Sequence, residues 1–269
     1  MIRHARRSLL DCLEVLTGKR DRFTPPRRLV ESVGGGDFRQ VGEEFLRYFL
    51  QLGELKPDAR ILDVGCGCGR MAVPLTRYLS KEGGYWGFDI VQKGILWCQR
   101  HLGAEHRNFH FSLADVYNKI YHPKGRHQAA HYQFPYQDDF FDFVSLTSVF
   151  THMLAADMQN YLREISRVLK PGSRCLITFF LLNEESRELL GQGLGKQKFP
   201  YAGQDCMLAS QAPPEAAVAF DESFIRRCYA ARGLAILEPV HYGNWCGRKE
   251  SLSYQDIILA AKRQGMLAR

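Results

Sequence analysis

The chain has no run of about 18 apolar residues, so no part of it is expected to cross a bilayer as a helix. It also has no CxxC pair. Its eight cysteines fall at 12, 66, 68, 98, 175, 206, 228 and 246, which argues against a zinc module and against a disulfide-stapled scaffold. Reduced thiols in a cytoplasmic protein are the expected state. There is no internal repeat. The opening stretch MIRHARRSLLDCLEVLTGKRDRF lacks a continuous apolar region and a small-residue cleavage site, so it does not read as a secretory signal. Excess charge is nearly missing from the main body as well. Net charge is +7, but residues 1–30 hold eight Lys/Arg against three acids, leaving +2 for the other 239 residues. Without a strongly basic face there, a nucleic-acid partner is disfavoured. The basic character belongs to an arm at about 1–40, which offers an anionic membrane surface as a further partner.

What is present is ordinary globular material, 45% apolar over 269 residues, enough for a sizeable core. Helical spacing runs over 5–17, Thr24-Pro25-Pro26 ends that segment, and a second amphipathic helix covers Val41–Leu52. Strands then alternate with helices. Strands are expected at 59–65, 85–90, 108–116, 141–150 and 173–182, and helices at 70–79, 92–102 and 158–170, the last stopped by Pro171-Gly172. Such alternation means βαβ units, hence an α/β fold with a mostly parallel sheet and helices on both faces. After a helix at 221–233, two strands at 234–243 and 253–262 with no helix between them are expected to form an antiparallel C-terminal pair at one sheet edge. Residues 183–220, weakly periodic and rich in Gly, Gln, Ala and Pro, read as an insertion over the active face of a domain spanning 41–269.

The stretch LDVGCGCGR (62–70) runs a strand into Gly65-x-Gly67-x-Gly69 and then into a helix. Glycines let the backbone turn sharply and a ligand lie close. Cys66 and Cys68 lack a second pair and read as small fillers. Read from Gly67, the loop also fits the dinucleotide pattern as G-C-G-R-M-A, so the motif alone leaves a nicotinamide cofactor open. Asp89 follows Gly67 by 22 positions, close to the ~20 expected of a ribose-binding acid one βαβ step later. His127 and His131, with His122 nearby, have metal-like spacing, but no acid completes a set and no metal is expected.

Asp63-Val-Gly65-Cys-Gly67-Cys-Gly69 resembles the DxGxGxG loop of class I S-adenosylmethionine (SAM)-dependent methyltransferases. In order along the chain, GFDI ending at Asp89-Ile90, LADV with Asp115, FPYQDDFFDFV and EISRVLKPGSRCLIT resemble the family's later segments. The resemblance covers about 55–180. It implies a Rossmann-like seven-stranded sheet, SAM as methyl donor and S-adenosylhomocysteine as product. It assigns Asp63, Gly65, Cys66, Gly67 and Gly69 to the cofactor loop, and Asp89 and Ile90 to ribose and adenine. Asp115 and Val116 fall at the adenine edge, and Thr147 at the exit of the fourth strand.

Methyl transfer to oxygen calls for a general base. His152, in TSVFTHM after the fourth strand, is the first candidate, and His241 the second. The long segment 115–136, the loop after the fourth strand and the C-terminal loop supply candidate acceptor contacts at Tyr117, Asn118, Tyr121, Arg126, Tyr132, His152, Tyr242, Trp245 and Arg248. Their aromatic faces and donors suit a polar small molecule or glycan. Competing readings are a protein, nucleic-acid or lipid-linked acceptor, and a SAM-binding scaffold without turnover.

Overall fold

A computed structural model describes residues 21–264. The helix expected at 5–17 and most of the basic arm lie outside the described residues. The chain's contacts group into two compact units, Met1–Ala59 with Cys66–Ala114 and Arg60–Gly65 with Asp115–Arg269.

In the first unit, Pro26 is the N-cap of helix α1 (Arg27–Ser32), so the proline pair leads into a helix. Helix α2 (Phe38–Gln51) starts three residues before the expected Val41, because the Asp37 side chain accepts the Gln40 N–H at 2.8 Å and caps it. Its inner face buries Phe38, Phe45, Tyr48 and Phe49. Helix α3 (Ala72–Leu75) is a single turn rather than the expected 70–79. Pro74 within it has no N–H to give, and turns flank it on both sides. Strand β2 (Gly84–Asp89) pairs in parallel with β3 (Phe109–Leu113), Asp89 opposite Leu113. Tyr85 stacks on Phe109 at 5.2 Å across this pair. Helix α4 (Gln92–Cys98) links the strands and continues to Gly103 as a π-helical turn.

In the second unit, β1 (Arg60–Val64) pairs in parallel with β4 (Phe141–Leu146), and β4 with β5 (Leu169–Phe179). Helix α5 (Ala155–Val168) joins the last two. It ends two residues before the expected stop because Leu169 already pairs with Phe141, and Pro171-Gly172 sit in a register shift within β5. Buried Glu164 on α5 accepts the Phe134 N–H at 2.9 Å and Arg167 Nη2 at 2.6 Å. That carboxylate ties the approach to β4 onto the helix. Helix α6 (Glu184–Gly191) and helix α7 (Glu222–Ala231) follow. Strands β10 (Leu234–His241) and β11 (Asp256–Lys262) are the expected antiparallel pair, and β11 is also antiparallel to β5.

The seven-stranded sheet has the order β10-β11-β5-β4-β1-β2-β3, with helices flanking it. Segment 183–220 is more ordered than its composition suggests. Strands β6 (Leu181–Leu182), β7 (Tyr201–Ala202), β8 (Cys206–Leu208) and β9 (Val218–Asp221) make a second sheet in the order β6-β9-β8-β7. Its core gathers Phe180 and Phe199 around Trp245, with ring centroids 5.2 and 5.6 Å away.

Candidate active site

The glycine loop is held shut by backbone hydrogen bonds. In the first unit, Cys66 N–H donates to the Phe88 carbonyl at 3.1 Å and Gly69 N–H to the Cys66 carbonyl at 2.9 Å. Gly67 sits at φ +57°, left-handed backbone that favours glycine. Its N–H donates to Asp89 Oδ2 at 2.8 Å, while Val91 N–H donates to Oδ1 at 2.7 Å. The acid expected to hold ribose hydroxyls therefore also staples the loop to the end of β2, a second role its spacing did not announce. The Ile90 N–H also bonds this carboxylate, so of its roughly four acceptor positions one remains for a ligand. Burial pushes the Asp89 carboxyl up, and the backbone donors hold it back. Ile90 follows it, half-buried.

Cys66 and Cys68 are buried, and Cys66 packs against Gly87, where an added Cβ would lie 2.9 Å from its sulfur. Burial pushes the Cys68 thiol up to about 12, so it stays neutral and a poor metal ligand. Among the described residues no group of three His, Cys, Asp or Glu is arranged to hold a metal ion. The loop enters α3, which is too short to present the dipole end expected of a longer helix at Arg70.

In the second unit, Asp63 is buried on β1 and accepts the Ser145 hydroxyl at 3.2 Å across the pair. Gly65 sits at φ +79°, and an added Cβ would fall 2.3 Å from Val149 Cγ2. The Thr147 hydroxyl at the exit of β4 is buried with no hydrogen-bond partner. Such an orphan fits a residue that meets a ligand.

Segment 115–131 is folded back on itself. Asp115 carries an ion pair with Arg126 Nε, accepts the Arg126 N–H at 3.2 Å and lies 3.7 Å from His122 Nε2. The Arg126 hydrogen bond holds the Asp115 carboxyl below its usual range. Val116 is buried and bridged to His127. Two of the acceptor candidates here, Arg126 and Asn118, already have partners within the segment. Arg126 is engaged by Asp115. Asn118 uses its side-chain oxygen to accept the Ile120 and Tyr121 N–H groups at 2.9 and 3.0 Å, closing a turn. Tyr117 stays exposed at the surface.

Tyr121 and His152 do come together, edge to face, with ring centroids 6.1 Å apart. His152 ends a 3-10 turn, Phe150–His152, and its Nδ1 lies 2.9 Å from the Glu215 carbonyl. A carbonyl only accepts, so Nδ1 carries a proton, and the tautomer this bond selects has its acceptor at Nε2. Glu215 itself was not singled out by its sequence context, a Pro-rich stretch. Its Oε2 is buried with no hydrogen-bond partner. Nearby Asp157 on α5 has its carboxyl raised by burial, with the Glu215 charge adding to the rise.

The C-terminal candidates divide. Strand β10 runs in the same direction as β5, since each is antiparallel to β11, so His241 lies at the carboxyl end of the sheet. Burial lowers its pKa, which favours the neutral, basic ring. Tyr242 gives its hydroxyl to Glu222 at 3.0 Å and is stacked under Arg248 at 4.8 Å. Trp245 is corrected outright as an acceptor contact. It is fully buried, and its indole N–H donates to Asp256 Oδ2 at 2.7 Å. A buried indole needs that acceptor. Arg248 is buried with it and pairs with Glu185 at 2.7 Å.

A mostly parallel sheet with β11 inserted antiparallel, and a glycine loop closed on the acid ending β2, define a methyltransferase-type nucleotide fold. Residues 62–177 match the methyltransferase domain family, and the fold is that of class I SAM-dependent methyltransferases. It is 26% identical over 134 residues to the ubiquinone/menaquinone biosynthesis C-methyltransferase UbiE of Proteus mirabilis, covering 50% of this chain and 47% of that protein. The chain thus spans about half the length of the curated relatives it matches. A SAM-dependent methyltransferase from Methanosarcina mazei superposes with TM-score 0.55 at 21% identity, over 80% of this chain and 98% of that one. The magnesium protoporphyrin IX methyltransferase of Synechocystis, with S-adenosylhomocysteine bound, gives TM-score 0.53 at 17% identity, over 86% and 91%. At these identities the two structures speak for the fold. Among the described residues no helix is long and apolar enough to cross a membrane.

Proposed function

We propose that this protein moves a methyl group from SAM to an oxygen of a polar small-molecule or glycan-like acceptor by direct in-line displacement. The observation that carries the reading is the glycine loop stapled shut on Asp89, whose carboxylate takes three backbone N–H groups and keeps one acceptor position. In the first unit, Cys66, Gly67, Gly69, Asp89 and Ile90 are assigned to the cofactor, Asp89 accepting from a ribose hydroxyl. In the second, Asp63, Gly65, Asp115, Val116 and Thr147 are assigned to it, the orphaned Thr147 hydroxyl finding its partner on the ligand. SAM supplies a methyl group made electrophilic by its sulfonium.

His152 holds its proton on Nδ1 against the Glu215 carbonyl and takes the acceptor hydroxyl proton on Nε2. The acceptor oxygen forms the new bond to the methyl carbon as the sulfur–carbon bond breaks, its electron pair staying on sulfur. His241, neutral and at the carboxyl end of β10, is the second base. Tyr121 offers the acceptor an aromatic edge. Much of the acceleration in such a transfer comes from positioning.

Likeness to a C-methyltransferase favours a second reading, in which the acceptor is a phenol and the methyl goes to ring carbon. Removal of a phenolic proton by the same histidine would activate that carbon.

The test uses SAM with a labelled methyl group and fractionated host extract, Asp89→Ala serving as control. Label in the small-molecule or glycan fraction, lost in the variant, supports the proposal. Label confined to protein, nucleic acid or lipid moves the acceptor to that class. No label anywhere, with SAM bound, reduces the protein to a cofactor-binding scaffold.

A further inference from the structure

Glu215 keeps one side-chain oxygen without a hydrogen-bond partner. Its carboxylate Oε2 is shut away from water without a donor, a costly state unless a ligand supplies one. Its backbone is different, since the carbonyl receives His152 Nδ1 at 2.9 Å. One residue thus orients the imidazole with its main chain and keeps a bare acceptor on its side chain. The short 3-10 turn Pro214–Ala216 that carries it is fixed by Pro213 and Pro214 and by the Ala216 N–H donating to the Pro213 carbonyl at 3.2 Å. Turn and imidazole belong to packed elements, and Tyr121 covers the imidazole from the side.

A methylated hydroxyl whose proton goes to His152 cannot also satisfy Glu215, because it has one proton to give. The acceptor must bring a second donor. We infer that the Glu215 carboxylate recognises the acceptor through a neighbouring hydroxyl, so that the substrate class is a vicinal diol of the kind found in sugars and catechols. This rests on the transferase reading of the same site. His152 deprotonates one hydroxyl, which becomes the methyl ether, and Glu215 accepts a hydrogen bond from the other, which stays unmethylated. Glu215 acts by selection, and Asp157 beside it strengthens the preference for a donor over an acceptor at this point.

The test has three arms. SAM binding by calorimetry is measured for the wild type, Glu215→Gln and Glu215→Ala, and is expected to be unchanged. Labelled-methyl transfer is compared between the untreated small-molecule and glycan fraction and the same fraction treated with periodate, which cleaves vicinal diols, and quenched before enzyme and labelled SAM are added. Label is expected to vanish with treatment. Steady-state transfer to catechol and methyl glucoside is compared with phenol and cyclohexanol as single-hydroxyl probes. With the diol probe that reacts, Glu215→Gln is expected to raise KM by about 10- to 100-fold, the weight of one hydrogen bond to a charged group, with a smaller change in kcat. Glu215→Ala is expected to raise it further. A Glu215→Gln enzyme with wild-type KM overturns the inference, as does label in the periodate-treated fraction or equal transfer to the single-hydroxyl probes. Wild-type protein that binds SAM but labels nothing overturns the transferase reading and this inference with it. Loss of SAM binding in both variants overturns this inference alone, since Glu215 would then be structural.

Discussion

Substituting Asp89 by Asn separates two roles that one carboxylate combines. Its Oδ1 takes the Val91 N–H at 2.7 Å and its Oδ2 takes the Gly67 N–H at 2.8 Å. Asparagine keeps one acceptor and turns an NH2 group toward the other amide. One buried donor is left unpaired, which costs about 1–3 kcal/mol of stability. The same exchange removes the charge behind the ribose contact assigned to the acid. A hydrogen bond to a charged group contributes about 1.5–3 kcal/mol, so SAM should bind roughly 10- to 150-fold more weakly. Urea unfolding of the free protein reads the first effect and calorimetric titration with SAM the second. Burial raises the Asp89 carboxyl above its ordinary value, so wild-type SAM affinity should fall as pH drops through that raised value. The asparagine variant should lose this dependence. A less stable variant with unchanged SAM affinity would leave Asp89 as a loop staple only. A variant unchanged in both would refute the reasoning entirely.

Replacing Gly65 with Ala should cost about 2–5 kcal/mol, combining a left-handed backbone with a Cβ 2.3 Å from Val149 Cγ2; urea unfolding checks it, and a wild-type midpoint would contradict it. His152→Gln should lower kcat by about 100-fold or more while leaving the SAM dissociation constant intact; single-turnover transfer from labelled SAM shows whether His152 is the base. Asp256 is buried and raised from 3.8 to about 6. Its stabilising contribution is full below 3.8 and is lost as pH rises through about 6, on the order of 3 kcal/mol in all. Unfolding free energies across pH 3 to 7 should show a decline that Asp256→Asn flattens.

The alternation of strands and helices carried the sheet and its antiparallel final pair, because period and turn chemistry act locally. The glycine loop and Asp89 were legible for the same reason, as short motifs with fixed spacing. Long-range pairing was not. Nothing local to Trp245 signals that Asp256 waits for its indole N–H, so an aromatic residue in a glycine-rich stretch looked available to a ligand. Arg126 and Asn118 likewise looked like free polar groups until the segment after β3 folded back on Asp115 and on its own turn. Helix α3 shrank because Pro74 limits it more than the apolar spacing suggested. The second sheet stayed hidden because strands of two to four residues are too short to show a period.

Asp256 accepts N–H groups from Leu181 at 2.7 Å, Gly243 at 2.7 Å and the Trp245 indole at 2.7 Å. Two stretches, β6 and the loop after β10, thus converge on one carboxylate at the head of β11. Neither can lift away alone without stranding a buried charge among the remaining partners. Opening motions of β6 and of the loop after β10 are therefore coupled. In a hydrogen-exchange experiment the amides of Leu181 and Gly243 should report a common opening free energy, as members of one cooperative unit.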